Sequence, residues 1–260
     1  MSRWLVAHVP SWLLLAGLIT VIAGGAVLIG WGLRKQFPGL AQEDHNDALR
    51  FVYGVVAFVY AFFVGFLANS LWSQITAADA SVRAEGSAGV QLARDRTVFD
   101  NPDADRIRQS LLEYHRAAII EWPIAARGGR SPEADQALRN LYQTYEDLQP
   151  RTDIQKSFLA RSLINLDTMS QRRTDRLIEA DVDAGPTWPL WAVIFVTSGL
   201  VLGCAIAFGI ESPRMHSGAV VIVGVLVAAN LFLILELSYP YLGDVGVSTE
   251  PLQVAVRSLG

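Results

Sequence analysis

The chain has 260 residues, 52% of them hydrophobic and 18% charged, with a mean hydropathy of +0.31. That balance excludes an ordinary soluble enzyme domain, and a net charge of −4 excludes the electrostatic footprint that holds nucleic acid. The single cysteine, Cys204, lies in an apolar run, so it supports neither an intramolecular disulfide nor a cysteine-held metal centre, and no cofactor is expected.

The charges are unevenly spread. Residues 73–185 carry 15 Lys or Arg and 18 Asp or Glu, whereas the other 147 residues carry 13 charges between long apolar runs. A bilayer core of roughly 30 Å is crossed by about 20 apolar residues, so the chain reads as an all-helical membrane protein with a water-soluble insert. The first run, residues 12–33, is uncharged and ends at Arg34 and Lys35. It predicts a first span and is too long, without a small-residue cleavage pattern, for a cleaved signal peptide.

A second span is expected over residues 51–72, leaving the bilayer near Trp72. Nothing breaks the helix decisively before Pro102, so one helix over residues 50–97 would be roughly 72 Å long and would extend from the membrane as a stalk. Three further helices follow within an extramembrane bundle at 73–185. Asn101-Pro102 opens one running towards Pro123, Ser131-Pro132 opens one ending near Leu148, and Thr152-Asp153 opens one reaching about Ala180. In the last, Ile154, Phe158, Leu159, Leu163, Leu166 and Leu177 recur at helical spacing and predict a buried stripe.

The third span is expected over residues 188–210, with Pro186 and Pro189 at its start and Trp188 and Trp191 at the interface. The fourth covers about 217–238, joined to the third by a short loop as an antiparallel hairpin. A tail marked by Pro and Gly follows, then about a dozen mildly apolar residues without a predicted element. No strand pattern of useful length, internal repeat or low-complexity segment is visible.

This architecture resembles that of bestrophins, and the local sequence is similar to the bacterial bestrophin-like domain family, whose function is not established. The residues that carry the likeness are His45-Asn46-Asp47 before the second span, Tyr60 and Phe66 within it, Trp72 and Arg83-Ala-Glu85 beyond it, and Pro240-Tyr-Leu-Gly243-Asp244 after the fourth. The resemblance implies a pentameric anion channel of the bacterial inner membrane, with the second span lining the pore. It does not carry calcium gating over, because the acidic calcium clasp of animal bestrophins has no counterpart here.

Several residues are candidates for function. Phe58, Phe62 and Phe66 stand four apart on one stripe of the second span, Ala57, Ala61 and Gly65 form the adjoining stripe, and Asn69 extends the row. Rings of phenylalanine in an oligomer make a dry constriction that gates by dewetting, and small residues let helices approach; ordinary packing against neighbours or lipid is the other reading. Asn230 and Glu236 are polar groups of the fourth span. Glu236 lies roughly 28 Å along that helix, which suits a solvated interfacial carboxylate, with an ion-path or salt-bridge role as the alternative. His45, Asn46 and Asp47 are read as capping the second span, or as a polar cluster at a pore mouth. Gly199 with Gly203, and Gly224 with Ala228, read as small-residue packing pairs. His8, His115 and His216 are scattered, and no enzyme, metal or phosphate-loop motif is present.

Two functions from different classes are therefore expected. One is a homo-oligomeric ion channel in the lipid bilayer, with inorganic anions as its ligands. The other is a membrane-anchored interaction protein, whose helical domain would show exposed apolar or aromatic positions, such as Trp122, Tyr142 and Tyr145, to a partner. Four spans place both chain ends and the domain on one side. The basic residues of the short loops favour that side outside, Arg83, Arg172, Arg173 and Arg176 restore near balance, and the bestrophin likeness favours a cytoplasmic domain.

Overall fold

The computed structural model of the chain describes residues 2–36, 46–181, 185–207 and 213–260. Among these residues the secondary structure is entirely helical. The elements are α1 (Ser2–His8), α2 (Ser11–Gln36), α3 (Asn46–Asp95), α4 (Asn101–Ala125), α5 (Pro132–Glu146), α6 (Asp153–Asp181), α7 (Trp188–Ala207), α8 (Pro213–Leu237) and α9 (Glu250–Leu259). The expected starts are realised. Pro102 and Pro132 sit in the first turns of α4 and α5, and Ser131 accepts the Ala134 amide at 3.3 Å. At α6, the Thr152 hydroxyl accepts the Gln155 amide at 3.1 Å while the Gln155 side chain reaches back to the Arg151 amide at 2.8 Å.

The second span and its extension are one helix of 50 residues, α3, which starts at Asn46 rather than Arg50 and passes into a short 3-10 turn, Arg96–Val98. The third span ends at Ala207 within the described residues, and positions 208–210 lie outside them. The fourth begins at Pro213, four residues before the expected Ser217. Two helices lack any prediction: α1, which is only seven residues long, and α9.

The chain divides into two compact units. The first comprises Met1–Ser73, Gly185–Tyr239 and Gly243–Val245, and contains α2, α7, α8 and the first part of α3, the four helices long and apolar enough to cross a membrane, with mean hydropathies of 2.2 to 2.7 over 18 residues. Within it α2 packs along α8, and α7 contacts both. Gly224 closes the α2–α8 crossing, since a Cβ there would lie 2.7 Å from the Ala23 Cα. Gly199 and Gly203 meet no neighbour within 4 Å, so the pair expected to pack in the third span does not do so within the subunit. Most of the side-chain surface of the four helices faces outward, which suits hydrocarbon and not water.

The second unit comprises Gln74–Ala184, Pro240–Leu242 and Gly246–Gly260. Its core joins Leu92 of α3, Ile107, Leu111 and Tyr114 of α4, Leu141 and Tyr145 of α5, Leu166 and Met169 of α6, and Leu252 and Leu259 of α9. The buried line of α6 is Ser162, Leu166, Met169, Arg173, Arg176 and Ala180. That corrects the expected stripe. Leu166 and Leu177 are buried, Phe158, Leu159 and Leu163 pack along the edge of the core, and Ile154 is exposed because the buried residue of that turn is Gln155.

Candidate functional site

The aromatic row of α3 is placed by helical register. Tyr60, Val64, Leu67 and Leu71 are buried, and the opposite face carries Phe58, Phe62 and Phe66 at 72%, 71% and 67% exposure, with Asn69 exposed one turn on. Ala61 and Gly65 of the adjoining small-residue stripe are also exposed, and Gly65 has nothing within 4 Å of its Cβ position. A helix with one face inside the subunit and an equally apolar face outside has a surface for lipid or for other copies of the chain. His45 lies outside the described residues. Asn46 and Asp47 form the first turn of α3, which is all the structure states about them.

Glu236 is buried, contrary to the expectation of a solvated interfacial carboxylate. The Ser11 hydroxyl and the Asp244 amide lie beside its carboxylate, because the turn after α8 folds back over the helix end. Gly243 makes this possible twice over. It adopts φ +74°, and a Cβ there would collide with the Glu236 carboxylate. The turn at Gly243 and Asp244 is thus a cover over Glu236, and Asn230 is half-buried in the same helix as that carboxylate.

In the second unit, a buried ionic cluster links α3, α4, α5 and α6. Arg176 meets Glu85 at 3.1 and 3.3 Å, and Arg173 meets Glu121 at 2.9 and 2.6 Å and Asp135 at 2.7 Å. Tyr114 donates to Glu85 at 3.0 Å, and the Glu121 carboxylate also accepts the Ser131 amide that opens α5. The Trp122 ring lies 5.2 Å from the Arg176 guanidinium and 5.6 Å from the ring of Tyr241, whose hydroxyl donates to Glu179 at 2.7 Å. Burial, then the neighbouring Glu85 charge, raises Tyr114 well above the usual phenol range. For Arg176 burial opposes the charge, and Glu85 more than restores it. Removing either arginine would strand a carboxylate in the core, so this cluster is a structural lock in which each member depends on its partner.

Sequence reasoning named Glu85 only through the family motif and missed Glu121. The available signal was that Arg173 and Arg176 continue the seven-residue register of Leu166 and Met169, which puts charge where a core residue belongs. Trp122, Tyr142 and Tyr145 do not form the exposed aromatic surface expected of an interaction domain. Tyr145 is buried, Tyr142 donates to Asp167 at 2.8 Å, and Trp122 is packed between Arg176 and Tyr241. Among the described residues, no three His, Cys, Asp or Glu side chains come together as metal ligands.

Residues 20–252 match the family model of the bestrophin-like domain. The chain belongs to the bestrophin-like family. Its fold is also similar to crystal structures of a bacterial bestrophin homologue from Klebsiella pneumoniae. Two single-substitution variants of that protein are each matched with a TM-score of 0.67, at 13% and 14% identity, over 96% and 95% of this chain and 97% and 96% of theirs. A crystal structure described as a membrane protein is matched with the same TM-score at 13% identity, over 96% of this chain and 97% of that one. No curated protein sequence matches this bestrophin-like chain. The four apolar helices and the family together make it a membrane protein.

Proposed function

We propose that this bestrophin-like protein is the subunit of a homo-oligomeric ion channel, a pentamer that conducts inorganic anions. In this reading α3 lines the pore, Phe58, Phe62 and Phe66 form a dry constriction, and Asn69 lies at its polar end. Residues 73–185 form an extramembrane helical domain between the second and third spans, and α3 runs on into it as a stalk. The protein is a conduit, with no catalytic role.

The observation that carries the reading is the exposed aromatic row on a helix whose other face is buried in its own subunit. Lipid contact alone would not require that face to combine phenylalanines at four-residue spacing with an adjoining line of small residues, whereas close approach of several copies around an axis uses both. Family membership supports the oligomeric channel, since fold by itself does not establish function. The anchored-interaction reading is the alternative; Trp122, Tyr142 and Tyr145 do not carry it, and exposed residues such as Ile120 and Ile164 are the apolar positions left to it.

The test is halide flux through purified protein in liposomes. The wild type is expected to pass chloride, and Phe62→Ala to increase the flux severalfold by removing one apolar ring from the constriction. A folded oligomer without flux, or a flux indifferent to Phe62, would sink the proposal.

A further inference from the structure

Two hollows open on the outer surface of the membrane unit, one on either side of Gly30. The first, of about 200 Å³, lies between α2 and α8 and is lined by Ala26, Gly30, Trp31 and Val220, with Arg34, His216 and Ser217 at one end. The second, of about 150 Å³, lies between α2 and α7 and is lined by Gly30, Leu33, Gly203 and Ile206, again with Arg34. Gly30 and Arg34 are one helical turn apart on the same face and line both hollows, and a Cβ at Gly30 would stand 3.5 Å from the Ile206 side chain, so the glycine lets α7 approach α2 between them.

Their depth follows from the helix ends. Arg34 is in the last turn of α2, Ala207 ends α7, and His216 is in the first turn of α8, so all three converge at one boundary of the apolar region. Trp31, with Lys35 5.4 Å above its ring, marks the same level as interfacial. No carboxylate among the described residues pairs with Arg34. Apolar walls below, a cation above and polar groups beside it complement one class of molecule, in which two hydrocarbon chains hang from one anionic head.

We propose that the α2–α7–α8 surface holds an anionic phospholipid, its phosphate on Arg34 beside His216 and Ser217, and its two acyl chains in the hollows flanking Gly30. Apolar burial favours the chains, the guanidinium donates a charge-assisted hydrogen bond to the phosphate, and its charge selects a head whose phosphate is not offset by an attached cation. The site is independent of whether the protein conducts ions.

The full-length protein, stripped of lipid in detergent, is the material for the test. Phosphatidylglycerol, phosphatidylcholine and glycerol 3-phosphate are added in turn, and bound lipid per oligomer is read by native mass spectrometry beside the melting midpoint. Phosphatidylglycerol is expected to bind and to raise the midpoint, phosphatidylcholine to bind about tenfold more weakly, and glycerol 3-phosphate to do nothing. Arg34→Gln should erase the preference between the lipids, Arg34→Lys should keep most of it, and Gly30→Leu, which adds bulk against Ile206 at the wall the hollows share, should weaken both lipids. Equal binding of the two lipids by the wild type, a preference that survives Arg34→Gln, or an oligomer that binds neither because a neighbouring copy covers the hollows, would each overturn the proposal. A shift with glycerol 3-phosphate as large as that with phosphatidylglycerol would assign a soluble-anion site instead, and overturns it too.

Discussion

His115 is fully buried in α4, and neither ring nitrogen has a hydrogen-bond partner. Its ring sits edge-on to Tyr114 and fills the place where a side chain at residue 89 of α3 would be, so Gly89 is required there. Burial pushes the imidazole from its ordinary 6.5 down to about 4. The folded protein therefore binds fewer protons than the unfolded chain between those values, and the contribution of neutral His115, complete above pH 6.5, is lost as pH falls towards 4. A shift of that size is worth about 3 kcal/mol. Melting midpoints measured from pH 8 to pH 4 should fall more steeply for wild type than for His115→Leu, whose side chain is never charged, and parallel curves would contradict the assignment. The sequence reading listed His115 as merely scattered, which is what a lone histidine shows before its neighbours are known. For Glu236, distance along a helix suits a solvated carboxylate as well as an ion-path or salt-bridge role, because the cover formed by Gly243 and Asp244 depends on how the turn folds back. Both cases share a cause, since burial of a polar group is a property of what packs over it.

The elements were more legible than the contacts between them. Helix starts at α4, α5 and α6 are written in single residues, Pro102, Ser131 with Pro132, and Thr152, and a local signal needs no tertiary context. The C-terminal helix α9 escaped because ten residues give fewer than three turns of pattern, and Val254 and Val256 interrupt the periodicity of the buried Leu252, Ala255 and Leu259. Its helical form is settled by docking. Those residues enter the core of the second unit, Arg108 donates to the Leu259 carbonyl at 2.6 Å, and a Cβ on Gly86 would stand 2.5 Å from the Pro251 carbonyl oxygen. The obstacle at Gly86 is backbone, which cannot rotate away as a side chain can. Gly86→Val is therefore expected to lift α9 from α3 at a cost of about 1–3 kcal/mol, while Gln91→Val on the exposed side of α3 leaves it in place. Amide hydrogen exchange over residues 250–259 distinguishes them, with fast exchange in the Gly86 variant alone. Slow exchange in both would mean that α9 accommodates the added side chain.

At the scale of the whole molecule, the membrane dictates what can be read. Lipid selects composition along some 20 residues at a time, so the four helices long and apolar enough to span stand out in hydropathy, and the exposed tryptophans Trp12, Trp72 and Trp188 are of the residue type that favours the interface. Sidedness is written more faintly. Were all four apolar helices to span, residues 73–185 would lie on the same side as both chain ends, and Arg34, Lys35, Arg50 and Arg214 would stand at the helix ends bordering the short loops opposite. Arg173 and Arg176 are neutralised in the folded cluster by Glu121 and Glu85. Topology, however, is chosen while the chain is being inserted, before those pairs exist, so both arginines count with Arg83 and Arg172 towards retention in the cytoplasm. We expect the helical unit to be cytoplasmic. Ser131 is too deeply buried to report on this, since its hydroxyl caps α5, but Gln136 is exposed on the same helix. A Gln136→Cys variant in which Cys204 is replaced by alanine should react with a membrane-impermeant maleimide only after the cells are lysed. Equal labelling of intact and lysed cells would place the helical unit outside, and would mean that the four basic residues of the short loops decide the orientation.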